Sequence, residues 1–214
     1  MRLIFIRHGE TTANAEGRLQ GHADYDLSDS GRSQAESLYR RFQAEDFQPT
    51  HIYSSPLRRT ADTTRIVARS WSPPITFLDD LKEHDVGVLS GLTWAEAAEK
   101  YPEQVAEFQR SRIWDVIEGA ETVDQQRARA QRVIEKVIGS HTNVDVVMMF
   151  SHGGILQRIV AEVMGTNRTW RVPIRNTAVF DFTLDLDQWS LDGDSLLNSN
   201  LWQINRFNDA SHLG

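Results

Sequence analysis

The chain is predicted to be an α/β protein, a sheet of strands with helices packed on both faces, and three observations carry that prediction. Short apolar runs of strand length alternate with stretches of helical periodicity along the 214 residues. Two of the apolar runs, Leu3-Ile4-Phe5-Ile6 and residues 144–150, lead into histidine and glycine, in Arg7-His8-Gly9-Glu10 and Ser151-His152-Gly153-Gly154. Between them, the short run Ile52-Tyr53 leads into Ser54-Ser55-Pro56-Leu57-Arg58-Arg59-Thr60. Open α/β sheets gather their chemistry at the carboxyl ends of their strands, and these three segments end that way.

Strands are expected over residues 2–7, 51–54, 75–78, 144–150, 177–184 and 201–206, the last two from an alternation that suits differently exposed faces. A helix over 31–44 places Ala35, Leu38, Tyr39 and Phe42 on one face. The next, over 56–71, reads Ser55 as N-cap and Pro56 as first residue. Arg59 then falls in the first turn, where free backbone N–H groups favour an anion. Residues 94–118 interrupt the rhythm, holding Trp94, Tyr101, Phe108, Arg110, Arg112 and Trp114 in short helical pieces. A helix over 123–138, opened by the capping pair Thr122 and Gln125, buries Val133, Ile134, Val137 and Ile138. The last helix follows His152, carries Ile155, Leu156, Ile159, Val160 and Val163 inward, and stops at Gly165. Residues 188–200 are polar enough for a loop.

Composition narrows the classes. A hydrophobic content of 40% supports a sizeable core, and a single domain over 1–214 is preferred because the two histidine motifs must meet. A net charge of −7 without long basic runs argues against nucleic acid as a partner. With no cysteine there is neither a disulfide nor thiol catalysis. No secretory apolar region and no run approaching the roughly 18 apolar residues of a membrane span is present, so the expectation is a cytoplasmic protein without a membrane partner.

The chemistry suggested by Arg7 and His8 is that of phosphate. A strand end delivering a guanidinium and an imidazole together can neutralise phosphoryl oxygens and attack phosphorus. Metal ligation is not expected: neither His22 with Asp24 and Asp26 nor His84 with Asp85 places three ligands on one centre. His51, His141 and His212 read as surface or strand-edge residues.

Taken together, the landmarks resemble the histidine phosphatase superfamily from Leu3 to about Gly165. They are Arg7-His8-Gly9-Glu10 with Asn14, Gln20-Gly21, residues 27–34, Ser55-Pro56-Leu57-Arg58-Arg59, Leu81-Lys82-Glu83 with Gly87 and Gly91, Gly119-Ala120-Glu121-Thr122, and Ser151-His152-Gly153-Gly154. The resemblance implies a three-layer α/β/α sandwich around a mixed, mostly parallel six-stranded sheet. It makes His8 the nucleophile, places Arg7, Arg59 and His152 around the phosphoryl oxygens, and puts Glu83 where the family keeps its proton donor. Asn14, Gln20, Gly21, His22 and Gly153 fall at phosphate or pocket positions. Arg58 matches no family arginine and reads as solvated.

The function so implied is hydrolysis of a small phosphorylated metabolite through phosphohistidine, with no metal and no cofactor. The runner-up is a 2,3-bisphosphoglycerate-dependent phosphoglycerate mutase, whose cover between Glu83 and His152 is longer and more basic than here. A silent binding module would have lost His8, Arg59, Glu83 or His152. A proton donor also needs a raised proton affinity at Glu83, through burial or the incoming phosphate. Residues of about 84–120 are the expected substrate cover, where Arg110 or Arg112 either grips an acidic group of the substrate or is solvated. The ending Asn208-Asp209-Ala210-Ser211-His212-Leu213-Gly214 resembles the tail of metal-independent phosphoserine phosphatases, whereas their pocket histidine aligns with Val86. Family members are often dimers, which leaves a homodimer open.

Overall fold

Strand β1 (Arg2–Arg7) is apolar without interruption from Leu3 to Ile6 because both of its faces are covered there. Leu3 and Phe5 turn to one side, and Ile4 and Ile6 to the other. In this computed structural model, which describes residues 1–169, 172–189 and 202–214, β1 lies within a six-stranded sheet. The others are β2 (His51–Ser54), β3 (Ile75–Phe77), β4 (Val146–Ser151), β5 (Val179–Leu184) and β6 (Trp202–Asp209). Their order is β3-β2-β4-β1-β5-β6. The pairs β2·β3, β2·β4 and β1·β4 are parallel, while β1·β5 and β5·β6 are antiparallel.

Helices α1 (Thr12–Ala15), α2 (Asp29–Ala44) and α3 (Arg58–Val67) follow β1 and β2. One face of the sheet packs Ala35, Leu38 and Phe42 of α2 and Val67 of α3 against Ile4, Ile6, Met148 and Phe150. After the cover helices α4 (Trp94–Lys100) and α5 (Pro102–Ser111) come α6 (Val123–Ser140) and α7 (Gly153–Val163). These last two cover the other face, with Val133, Ile134, Ile155 and Ile159 against Leu3, Phe5, Val147 and Met149. The result is the expected three-layer α/β/α sandwich.

Local signals account for most boundaries. Ser28 caps α2 by accepting from the Gly31 N–H, and Thr122 and Gln125 form the expected capping box on α6. Gly165 takes a left-handed φ of 61° just beyond α7. Helix α3 departs from expectation. Ser55 does not cap it; its hydroxyl accepts from the Leu57 N–H within a bend, and α3 begins only at Arg58. Arg59 still falls in the first turn. Strand β5 does not alternate, because it lies between β1 and β6 with both faces largely covered. It starts after Thr177, whose φ of 57° is left-handed. Of the polar stretch 188–200, residues 190–200 lie outside the described residues, as does Leu201 at the expected start of β6.

The cover region has its own small core of Leu89, Ala97, Val105, Phe108 and Ile117. Trp94 stacks on Phe108, with centroids 5.2 Å apart, and Trp114 packs against Phe108. Phe108, Tyr101 and Trp114 therefore pack within the cover, while Trp94 keeps an exposed edge.

Candidate active site

Two histidines 144 positions apart in the chain (152 − 8) meet because β1 and β4 are parallel neighbours in register, Arg7 lying opposite Ser151. The residues that follow, His8 and His152, bring their rings to 5.1 Å. Strand β2, on the other side of β4, ends in the same place and delivers Ser55 and then Arg59. The site therefore sits at the carboxyl ends of the parallel strands, as the fold requires.

His8 is 2% exposed, and its Nδ1 lies 2.6 Å from the Gly9 carbonyl. A carbonyl only accepts, so Nδ1 carries the hydrogen and Nε2 keeps its lone pair. Burial, and after it the charges of Arg7 and Arg59, hold the imidazole well below its ordinary pKa. His8 is thus neutral, with one defined nucleophilic nitrogen. Gly9 serves close approach: a Cβ there would lie 2.6 Å from the Gly31 carbonyl oxygen, so only glycine lets the loop rest on α2.

Arg59 is buried and donates from Nε to His152 Nδ1 at 3.1 Å, from Nη1 to the Ala23 carbonyl and from Nη2 to the Gly21 carbonyl. Three of its five N–H groups are used, and two remain for a ligand. Burial pulls its pKa down to about 10, which leaves it charged at neutral pH. Arg7 donates from Nη1 to the Ile174 carbonyl, while its buried Nε has no partner. Gly153 lies beneath it, where a Cβ would come 3.3 Å from that Nε. Arg58 points outward to Asp26 and is exposed.

His152 differs from expectation. Because Arg59 can only donate, His152 Nδ1 is the acceptor and Nε2 carries the hydrogen, facing Ser55 Oγ at 2.9 Å and Thr60 Oγ1 at 3.1 Å. Burial, followed by the charge of Arg59, keeps it neutral. Both ring nitrogens are engaged by protein, so His152 here orients Arg59, and contact with a phosphoryl oxygen would need the ring to turn.

In the free site, burial does not give Glu83 the raised proton affinity expected of a donor. Its Oε1 accepts from the backbone N–H groups of His84 (3.0 Å) and Ile155 (2.9 Å) and from the His84 ring; Oε2 accepts from the Gly154 N–H at 2.9 Å. Burial alone would raise its pKa, yet the bond and charge of His84 and the Gly154 N–H outweigh it. The carboxyl is held well below the usual range and is ionised. Its place at the N-terminus of α7 is the physical reason. Gly154 makes room for it, since a Cβ would meet His84 at 2.4 Å and Glu83 at 2.7 Å.

The remaining expected residues divide. Asn14 spends Oδ1 on the Thr11 N–H and hydroxyl, leaving its amide nitrogen to donate. Gln20 is buried with an unpartnered Oε1. Gly21 contributes the carbonyl that holds Arg59. His22 donates from Nε2 to the Glu83 carbonyl at 2.8 Å, bracing that segment rather than offering the nitrogen to phosphate. Arg110 is exposed and paired with Glu107, and Arg112 is exposed at the left-handed end of α5.

Three supporting residues went unread in the sequence. Asn176 donates to the His8 carbonyl, and Thr60 faces His152. Arg129 is buried, grips Glu121 and donates to the carbonyls of Asp80, Lys82 and Glu83. The available signal was an arginine among Gln126, Ala130 and Val133 on the inward face of α6.

A buried imidazole with a free nitrogen, two guanidinium groups beside it and a carboxylate across from them define an enzyme site for phosphoryl chemistry. The chain matches the histidine phosphatase superfamily (branch 1) over residues 3–194 and belongs to it; it is a hydrolase of the phosphatase type. It is 33% identical over 193 residues to a metal-independent phosphoserine phosphatase of Arabidopsis thaliana, covering 88% of this chain and 80% of the relative. A phosphoglycerate mutase-like protein 4 of the same plant is 32% identical over 213 residues, covering 99% and 86%. Among solved structures, a phosphoserine phosphatase mutant from Entamoeba histolytica in complex with phosphoserine shares the fold, with a TM-score of 0.77 at 21% identity over 99% of this chain and 98% of that one. Among the described residues, no helix is long and apolar enough to cross a membrane.

Proposed function

We propose that the protein hydrolyses a small phosphomonoester through a phosphohistidine on His8, without a metal in the reaction. The observation that carries this reading is the neutral His8 ring, fixed by Gly9 so that Nε2 is free, between two charged arginines. Nε2 attacks phosphorus as the P–O bond to the leaving group breaks, and the departing alkoxide takes a proton from Glu83. Water then attacks the phosphoryl group, its proton passes to Glu83, the P–N bond breaks, and phosphate leaves as its monoanion carrying that proton, with Nε2 and the Glu83 carboxylate restored. Charge on the equatorial oxygens is met by Arg7 and Arg59.

Since Glu83 is ionised in the free site, the proton enters with substrate, carried by the monoanion of the ester. A small cover with no free basic cluster suits a compact substrate, and the relative that is 33% identical favours testing phosphoserine first. The phosphoglycerate mutase-like relative supports a second reading, mutase activity, on the same residues. Rapid quenching with labelled substrate should trap a phosphoryl group that is stable in alkali and lost in acid, and His8→Ala should abolish it. Label that persists in the variant refutes the assignment. Running phosphoserine and 3-phosphoglycerate with and without 2,3-bisphosphoglycerate separates hydrolysis from transfer.

A further inference from the structure

A second cluster of chemistry lies at the opposite end of the sheet. His51 begins β2, His141 follows α6, and Asp145 immediately precedes β4. One ligand atom from each lies within 4.8 Å of the others. His51 Nδ1 is 3.6 Å from Asp145 Oδ1, and His141 Nδ1 is 4.0 Å from Asp145 Oδ2. The sequence placed His141 at the surface, yet its side chain is 2% exposed, and its Nδ1 has no hydrogen-bond partner.

The hydrogen-bond pattern matches what a metal-binding histidine needs. His141 Nε2 lies 3.0 Å from the Tyr53 hydroxyl, which can accept its hydrogen and leave Nδ1 as a bare, buried lone pair facing the carboxylate. Asp145 is ionised: the Thr142 N–H and hydroxyl hold Oδ2, and together with Thr50 they outweigh burial. His51 is about half exposed. Its Nδ1 meets the Thr50 hydroxyl, whose single hydrogen also has Asp145 Oδ1 and the Val146 carbonyl within reach, so Thr50 stays satisfied if Nδ1 is given to an ion.

We propose that His51, His141 and Asp145 form a binding site for a divalent transition-metal ion of the zinc class, which ties the start of β2 to the end of α6 and the start of β4. Two imidazoles and one carboxylate are a borderline donor set, suited to zinc or cobalt and poor for magnesium or calcium. Bonds of about 2.0 Å in a tetrahedron put donors about 3.3 Å apart, so the observed separations close with small side-chain movements. Solvent beside His51 supplies the fourth position. The cluster lies roughly 13 Å from the catalytic end of β2, the length of four residues of strand. It therefore acts on the stability of the fold and takes no part in phosphoryl transfer.

The test uses the full chain, stripped by dialysis against chelator and titrated with Co²⁺, whose visible ligand-field bands report coordination, followed by displacement with Zn²⁺. One ion per chain is expected. His51→Ala, at a half-exposed position that leaves the core intact, and Asp145→Asn should each weaken binding by at least about tenfold. At a hundredfold excess over its dissociation constant, Zn²⁺ should raise Tm by about 5–11 °C in the wild type and not in His51→Ala. Absence of binding in the wild type, or binding within threefold of it in both variants, overturns the proposal; the latter result would put the ion elsewhere, with His8 and His152 the first place to look.

Discussion

Replacing Glu83 by glutamine separates proton donation from every other contribution to the site, provided the structural cost is counted. Glutamine has one acceptor oxygen where glutamate has two. If that oxygen takes the place of Oε1, it keeps the bonds from His84 and Ile155. The amide nitrogen then faces the Gly154 N–H, donor against donor, where Oε2 had accepted at 2.9 Å. One buried N–H left unsatisfied costs about 1–3 kcal/mol, a fall in Tm of roughly 2–12 °C for a chain of this size. The chemical cost differs in kind. An alkoxide needs a proton to leave and nitrophenolate scarcely does, so kcat/KM for phosphoserine should fall by about 10²–10⁴-fold while nitrophenyl phosphate is much less affected. The pH profile adds a second signature. With Glu83 ionised in the free site and the proton arriving on substrate, wild-type kcat/KM for the alkyl ester should fall about tenfold per unit above about pH 6, the second ionisation of a phosphomonoester. The assay is steady-state kinetics of both substrates in both proteins, with the variant held well below its Tm. Equal slowing of the two substrates would remove Glu83 as the donor and shift attention to His84, whose Nδ1 lies 3.1 Å from it.

Two further outcomes follow from the same geometry. Arg59→Ala removes charge from the transferring group itself, so both substrates should slow alike, by about 10²–10³-fold; a loss confined to phosphoserine would contradict its place beside the phosphoryl oxygens. Acid should destabilise the fold through His212, whose pKa is pushed down to about 4 by burial and then by Arg41. Between that value and its ordinary 6.5 the folded state binds fewer protons at His212 than the unfolded, so the contribution of this group is full above pH 6.5 and is lost as pH drops through the window. Partial exposure limits the effect to about 1–2 kcal/mol. His212→Gln should flatten the denaturation profile by that amount relative to wild type, and an unchanged slope would refute the assignment.

The sheet and the meeting of His8 with His152 were legible because both are written in local pattern. A run such as Leu3-Ile4-Phe5-Ile6 has no reading other than a strand covered on both faces once helices flank it, and parallel register then carries the following histidine to its partner. What escaped depended on contacts between distant segments. Ser55-Pro56 is a sound helix start by propensity, yet the Ser55 hydroxyl is committed to the Leu57 N–H and faces His152, and the helix opens two residues later than expected. His141 looked like a surface residue because nothing local says that Tyr53 and His51 close over it. The resemblance gave His22 a pocket position, and nothing local says that its ring braces the Glu83 carbonyl, 61 positions away.

Gly153-Gly154 shows how a correct motif can carry a different mechanism. Glycines at the start of a helix after a strand suggest that backbone N–H groups receive the phosphate. Here the N–H groups of Gly154 and Ile155 are given to Glu83. The two glycines act by absence of a side chain: Gly153 leaves space beneath the Arg7 guanidinium, and Gly154 leaves space for Glu83 and His84. With those helix amides occupied, the groups left to meet the phosphoryl charge in the proposed reaction are the guanidinium groups of Arg7 and Arg59, which keep N–H groups unspent, and the Asn14 amide nitrogen. The same arrangement explains why Glu83 is ionised at rest: α7 has its anion already, and in the proposed reaction the proton that turns that carboxylate into an acid comes with the substrate.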